Sequence, residues 1–132
     1  MKFIDTKTHG FIDYIMSLLI AASPWVLGYN HGGAETWVPM MIGIAGVLYS
    51  LITNYELGIL LILPMRAHLF IDLVAGIFLA ISPWIFEFNN TVWRPHVVFG
   101  ILIICASLFT KTQTQTEENI LQINNPLHPA KK

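Results

Sequence analysis

Four long apolar runs, separated by short polar breaks, set the pattern of this chain. Residues 10–28, 37–53, 67–86 and 95–110 consist mainly of Ile, Leu, Val, Phe, Met, Ala and Gly. A helix that crosses the hydrocarbon of a bilayer needs about 17–25 such residues, and the fourth run lies at the short end of that range. A helix on a soluble domain would show one apolar stripe and one charged face. Instead "MMIGIAGVLYSLI" and "VVFGILIICASLF" are apolar all round, which suits lipid or a fully buried core. The pattern predicts an all-α fold, a bundle of four transmembrane helices forming a single integral membrane domain over residues 1–110. Between the second and third runs, residues 54–65 ("NYELGILLILPM") carry an apolar stretch from Leu57 to Leu63. As a helix that stretch would reach only about 10 Å, so it reads as an interfacial segment, with Pro64 opening the third helix. Residues 111–132 ("KTQTQTEENILQINNPLHPAKK") are rich in Thr, Gln and Asn without a helical period, and read as a flexible cytoplasmic tail.

Composition supports the same class. The chain is 55% hydrophobic and 11% charged, against about 25% charged residues in a soluble domain, so there is too little charge to coat a water-facing surface. A net charge of -1 leaves no basic footprint for nucleic acid. Lys2, Lys7, Arg66, Lys111, Lys131 and Lys132 fall on one side of a four-span arrangement and only Arg94 on the other. The excess of positive charge places both termini and the middle loop in the cytoplasm. Trp25, Trp37, Trp84 and Trp93 then gather near the opposite interface, where amphipathic rings anchor helices. The first run holds Asp13 and shows no small-residue cleavage site, so it reads as a retained helix. The lone Cys105, in the fourth run, reads as a small buried apolar side chain.

Sliding the chain by 59 residues aligns "KTHGFIDYIMSLLIAASPWVLGYN" with "RAHLFIDLVAGIFLAISPWIFEFN". Lys7, His9, Phe11, Ile12, Asp13, Ala21, Ser23, Pro24 and Trp25 meet Arg66, His68, Phe70, Ile71, Asp72, Ala80, Ser82, Pro83 and Trp84. The second and fourth runs match more loosely, through Trp37-x-Pro39 and Trp93-x-Pro95, then Gly43 and Gly100, and Ser50 and Ser107. The repeated unit is a helix pair, about 7–53 and 66–110. A pair of spans ends on the side where it began, so the two copies have the same orientation, related by a pseudo-twofold axis along the membrane normal. With two copies of Ser-Pro-Trp in equivalent positions, the chain over about residues 2–110 resembles the SPW-repeat family of small integral membrane proteins. That resemblance implies the four-span fold and a bacterial or archaeal inner membrane, and it carries no catalytic residues.

Pro24 and Pro83 lack the N–H that would bond the carbonyls of Ile20 and Leu79, so each helix should kink or begin to unwind there, with Ser23 and Ser82 bonding the freed backbone. Ser17-xxx-Ala21 and Gly76-xxx-Ala80 are small-residue pairs that allow the first and third helices to touch, and Gly46-xxx-Ser50 offers a further contact within the repeat or between subunits of a homo-oligomer or with a membrane partner. The chemistry concentrates in Lys7-x-His9-x3-Asp13 and Arg66-x-His68-x3-Asp72. Spacing of four puts each imidazole above its carboxylate on one helix face. An interfacial polar cluster, with Asp near a helix N-terminus and the base reaching lipid phosphates, is the simpler account of these residues, ahead of a proton or ligand site. Arg94 and His96 read as polar residues at the outer interface, and His31 and His128 lack metal-ligand spacing to any partner. No nucleophile elbow, phosphate loop or zinc motif is present. The residues therefore favour a non-enzymatic scaffold or binding module without a resident metal. The alternatives are a channel or carrier for protons, ions or small solutes using the paired His and Asp, and a haem protein with His9 and His68 as axial ligands.

Overall fold

The computed structural model describes residues 2–125, and within them the chain is all-α, with five helices: α1 (Thr6–Val26), α2 (Ala34–Ile52), α3 (Met65–Ile85), α4 (Arg94–Phe109) and α5 (Gln115–Ile123). α1 packs along α2 and α3 along α4, while α2 also touches α3 and α1 touches α4. α2 and α3 are long and apolar enough to cross a membrane, and α4 is apolar but shorter at 16 residues. α1 has 21 residues, yet its first two turns carry Thr6, Lys7, Thr8, His9 and Asp13.

Local chemistry explains most helix ends. Asp5 caps α1, its carboxylate accepting the Thr8 N–H at 2.7 Å. Pro64 is the N-cap of α3, so that helix begins one residue later than the sequence suggests. α1 and α3 both run two residues past their internal proline before ending. At each proline the neighbouring serine supplies the missing bond: Ser23 Oγ donates to the Ile20 carbonyl at 2.8 Å and Ser82 Oγ to the Leu79 carbonyl at 2.7 Å.

The segment between α2 and α3 and the segment after α4 differ in structure. Residues 54–64 form no helix; the chain turns sharply, with Leu61 at a positive φ of 48°, and returns to pair with the end of α2. Residues 115–123 do form a helix, because Thr114 and Glu117 make a reciprocal capping box: the Thr114 hydroxyl accepts the Glu117 N–H while the Glu117 carboxylate accepts the Thr114 N–H. Residues 126–132 of the tail, which include His128, Lys131 and Lys132, lie outside the described residues.

Small residues pack within each helix pair instead of joining α1 to α3. A Cβ added at Gly43 would strike the backbone of Ser17 and Ala21, and one at Gly100 would lie 2.6 Å from the Gly76 carbonyl and 2.7 Å from Ala80 Cβ. Gly46 likewise rests on Ser17. Glycine on α2 and α4 lets the backbones approach so closely that Ser17, Ala21, Gly76 and Ala80 are used up inside their own pairs.

Both pairs are tied off alike. Phe3 and Ile4 N–H donate to the Phe109 carbonyl at 3.0 and 3.1 Å, and Lys111 N–H donates to Ile4. In the other half, Ile62 and Leu63 N–H donate to the Ile52 carbonyl, both at 2.8 Å, and Asn54 N–H donates to Leu63. Each link draws the start of one pair's first helix to the end of the other pair's second, so that the N-termini of α1 and α3 and the C-termini of α2 and α4 meet at one end.

Polarity runs opposite to that of a soluble protein. Ser17, Ser23, Ser50, Thr53, His9, His68, Asp72, Ser82, Ser107 and Thr110 are buried, whereas Phe11, Leu18, Met41, Leu48, Phe70, Val74, Ile77, Val98 and Ile101 face outward. Cys105 also faces outward on α4, so it is not the buried side chain expected.

Candidate functional site

His9 and Asp13 on α1, and His68 and Asp72 on α3, are all buried, and one donor atom from each lies within 4.8 Å of the other three. His9 Nε2 is 3.3 Å from His68 Nε2; Asp72 Oδ2 is 3.1 Å from the first and 3.2 Å from the second. Asp13 Oδ2 stands 3.6 Å from His68 Nε2. The i, i+4 spacing places each Asp one turn below its His on the inner face. Since α1 and α3 start at the same end, the two stripes converge there.

A surrounding shell of hydroxyl groups holds the four groups in place. Thr53, the C-cap of α2, has its hydroxyl 2.6 Å from the Tyr49 carbonyl and 2.8 Å from His68 Nδ1. Thr110, the C-cap of α4, has its hydroxyl 2.6 Å from the Ala106 carbonyl and 2.9 Å from His9 Nδ1. A carbonyl can only accept, so each threonine proton goes to its carbonyl and each threonine oxygen accepts from the imidazole Nδ1–H. The threonine of each pair thus grips the histidine of the other. The carboxylates are held as well: Tyr49 OH donates to Asp72 Oδ1 at 2.5 Å, and Ser50 Oγ donates to Asp13 Oδ2. The Tyr49 and Tyr55 rings flank His68, at centroid distances of 5.0 and 5.9 Å.

Lys7 and Arg66, grouped with this cluster by sequence, are exposed, whereas its four residues are buried. Thr53, Thr110 and Tyr49 belong to it and do not stand out in the sequence, although Ser50-x2-Thr53 and Ser107-x2-Thr110 repeat the same spacing. The Asp72 carboxylate lies beside both Nε2 atoms, at 3.1 and 3.2 Å.

At the opposite end His96, in the first turn of α4, is buried. Its Nε2 donates to the Glu35 carbonyl at 3.1 Å, and its ring lies between Phe88 and Tyr29, at centroid distances of 4.9 and 5.5 Å. Its Nδ1 has no hydrogen-bond partner among the described residues. Trp25, Trp37, Trp84 and Trp93 are all exposed near this end, with Arg94 over the Trp93 ring at 5.8 Å.

The family model for the SPW repeat domain matches residues 7–110, which takes in both Ser-Pro-Trp copies and every residue of the cluster. The chain belongs to the SPW repeat domain family. No curated protein and no solved structure matches it. Family membership brings no activity with it, so any function for this SPW repeat protein has to be argued from the cluster itself.

Proposed function

We propose that this protein is a four-span bundle in the inner membrane of a prokaryotic cell, and that it is a non-enzymatic binding module whose His9, Asp13, His68 and Asp72 cluster holds a cation near the cytoplasmic face. The bilayer reading is supported by the outward apolar surface and inward polar residues, a distribution costly in water and natural in lipid. At about 1.5 Å per residue, α4 would extend about 24 Å, short of a hydrocarbon core near 30 Å and offset by a thinned bilayer or interfacial anchors such as Trp93. Both termini and residues 54–65 lie on the cytoplasmic side, in line with the distribution of Lys and Arg. The matched terminal links and matched proline–serine bonds support a duplicated helix pair with a twofold relation along the membrane normal.

The observation that carries the cation reading is the convergence of two carboxylates and two imidazole nitrogens, all buried, from both repeats. A cluster meant only to anchor helices at headgroups would splay toward the surface. Ionisable groups buried within membrane helices are costly and mark sites of binding. The test is thermal unfolding of the purified, tag-free protein in detergent across a panel of mono- and divalent cations. At least one cation should raise Tm, and Asp13→Asn with Asp72→Asn should abolish the rise while keeping the helical content. If no cation changes the Tm of the unaltered protein, the cation reading fails.

A further inference from the structure

We infer that the cluster is a tetrahedral site for a divalent transition-metal ion of the zinc type, with His9 Nε2, His68 Nε2, Asp72 Oδ2 and Asp13 Oδ2 as ligands and Thr53 and Thr110 as positioning residues. This inference rests on the cation reading above and specifies its ligand.

Three of the donors form a nearly equilateral triangle, with sides of 3.1, 3.2 and 3.3 Å. Such a triangle is one face of a tetrahedron whose centre lies about 2.0 Å from each corner, and about 2.0–2.1 Å is the bond length of zinc to imidazole nitrogen or carboxylate oxygen. Asp13, at 3.6 Å from His68 Nε2 and with its donor atom within 4.8 Å of the other ligands, supplies the fourth corner by drawing its carboxylate inward. The spacing of these three ligands is therefore set before any ion arrives.

The threonines decide which nitrogen is available. Each hydroxyl proton is committed to the carbonyl four residues back, so each imidazole carries a proton on Nδ1, and in its neutral form it presents a bare Nε2 to the centre. Two bare nitrogens 3.3 Å apart, with a carboxylate oxygen beside both, repel one another unless something positive sits among them. A proton on one Nε2 is a single donor shared among three acceptor atoms. Protons on both would put two cationic N–H groups face to face. A single ion at the centre accepts all four lone pairs, and a double positive charge with two carboxylates makes the buried site neutral. The ligand types narrow the ion. Imidazole suits zinc, copper, iron and nickel, whereas calcium and magnesium demand six or more oxygens. Four donors in a tetrahedral frame point to the zinc class, for which cobalt(II) is a coloured substitute.

The experiment strips the tag-free protein with a chelator and titrates it with cobalt(II), reading the visible spectrum. The expected result is one ion per chain, with the intense visible bands of tetrahedral cobalt, displaced in full by zinc. His68→Gln and Asp72→Asn should lose the bands. Should those variants unfold, the threonines still give an answer: Thr53→Val with Thr110→Val leaves all four ligands and should weaken cobalt binding about 10–100-fold for each hydrogen bond removed from a ligand histidine. Thr53→Ser with Thr110→Ser, which keeps both hydroxyls, should retain the original affinity. A pale octahedral spectrum, or no cobalt bound, overturns the inference. If calcium or magnesium raises Tm while zinc and cobalt do not, the metal class is wrong and the cation site stands. If no cation does, both fail. Unchanged affinity in the valine double variant removes the threonines from the site.

Discussion

The two ends of the helix assembly use the same repeat in different ways. At the His–Asp end each pair contributes a histidine, an aspartate and a threonine, and each threonine holds the other pair's histidine, Thr53 to His68 and Thr110 to His9. At the other end the contributions are unequal. His96 has no histidine counterpart, since Met40 stands at the equivalent place in α2, and its ring is clasped by the equivalent residues Tyr29 and Phe88. One end is doubled, polar and interlocked, with four ionisable groups; the other has a single imidazole resting on aromatic rings. Duplication creates a site where the two stripes face each other, and leaves only packing where they do not.

The largest expected effect breaks this contrast at its polar side. Asp72 accepts from Tyr49 and lies against both imidazoles. Asp72→Ala would leave all three facing a void, and truncating one member of a buried charged cluster costs about 3–5 kcal/mol. Unfolding in a denaturing detergent titration should show that loss. The matching change at the other end, His96→Phe, removes one unpartnered nitrogen but also the hydrogen bond to the buried Glu35 carbonyl, whose helical donor position is taken by Pro39, so it should cost about 1–3 kcal/mol, less than Asp72→Ala. Equal losses at the two ends would abolish the distinction.

The next effect lies between the ends, where both pairs close on glycine. A methyl group at Gly43 meets the Ala21 nitrogen at 2.5 Å, and one at Gly100 meets the Gly76 carbonyl at 2.6 Å. Both are backbone atoms that cannot turn aside. Gly43→Ala and Gly100→Ala should each cost about 1–3 kcal/mol. Because they belong to separate pairs, the double variant should show the sum. The same denaturation titration checks both values and their additivity.

How far the sequence foretold these features depends on whether the deciding contact is local. The stripe from His9 to Asp13 and its copy from His68 to Asp72 follow from spacing on one helix, and so does the bond from Ser23 to the Ile20 carbonyl. Thr53 and Thr110 escape such reasoning because their partners, His68 and His9, are 15 and 101 residues away and meet them only through packing. The small residues are legible as contact points, but their partner is not: Ser17 can face either α2 or α3 until the glycines on α2 are seen to fill that face. α5 escapes for a different reason. Nine residues give too few turns for an apolar period to show, although the Thr114-x-x-Glu117 capping box is present.

Smaller effects separate the copies at the proline step. Ser82→Ala removes only the bond to the Leu79 carbonyl, and should cost about 1 kcal/mol. Ser23 also shares a hydrogen bond with Tyr29 OH, whereas the equivalent of Tyr29 is Phe88, which has no hydroxyl. Ser23→Ala should therefore cost more than Ser82→Ala, and Tyr29→Phe should bring the two serine variants to the same loss in thermal unfolding.

The smallest effect sets one helix start against the other. Position 5 and its copy, position 64, are both N-caps, but Asp5 caps α1 with its side chain and Pro64 leaves α3 without a side-chain cap. The Thr8 backbone N–H bonds the ionised Asp5 carboxylate and holds its pKa below the ordinary value of 3.8. A carboxyl whose pKa is depressed by folding adds stability above its unfolded pKa and loses it as the pH falls through its folded pKa. The contribution is thus whole at neutral pH and fades below about pH 4. Asp5→Ala should cost about 0.5–1 kcal/mol at neutral pH, the low end for an exposed cap. It should also flatten the acid limb of stability against pH, measured as Tm from neutral to acid conditions. An acid limb of unchanged slope in the variant would place the acid sensitivity elsewhere, and α1 would then start no differently from α3.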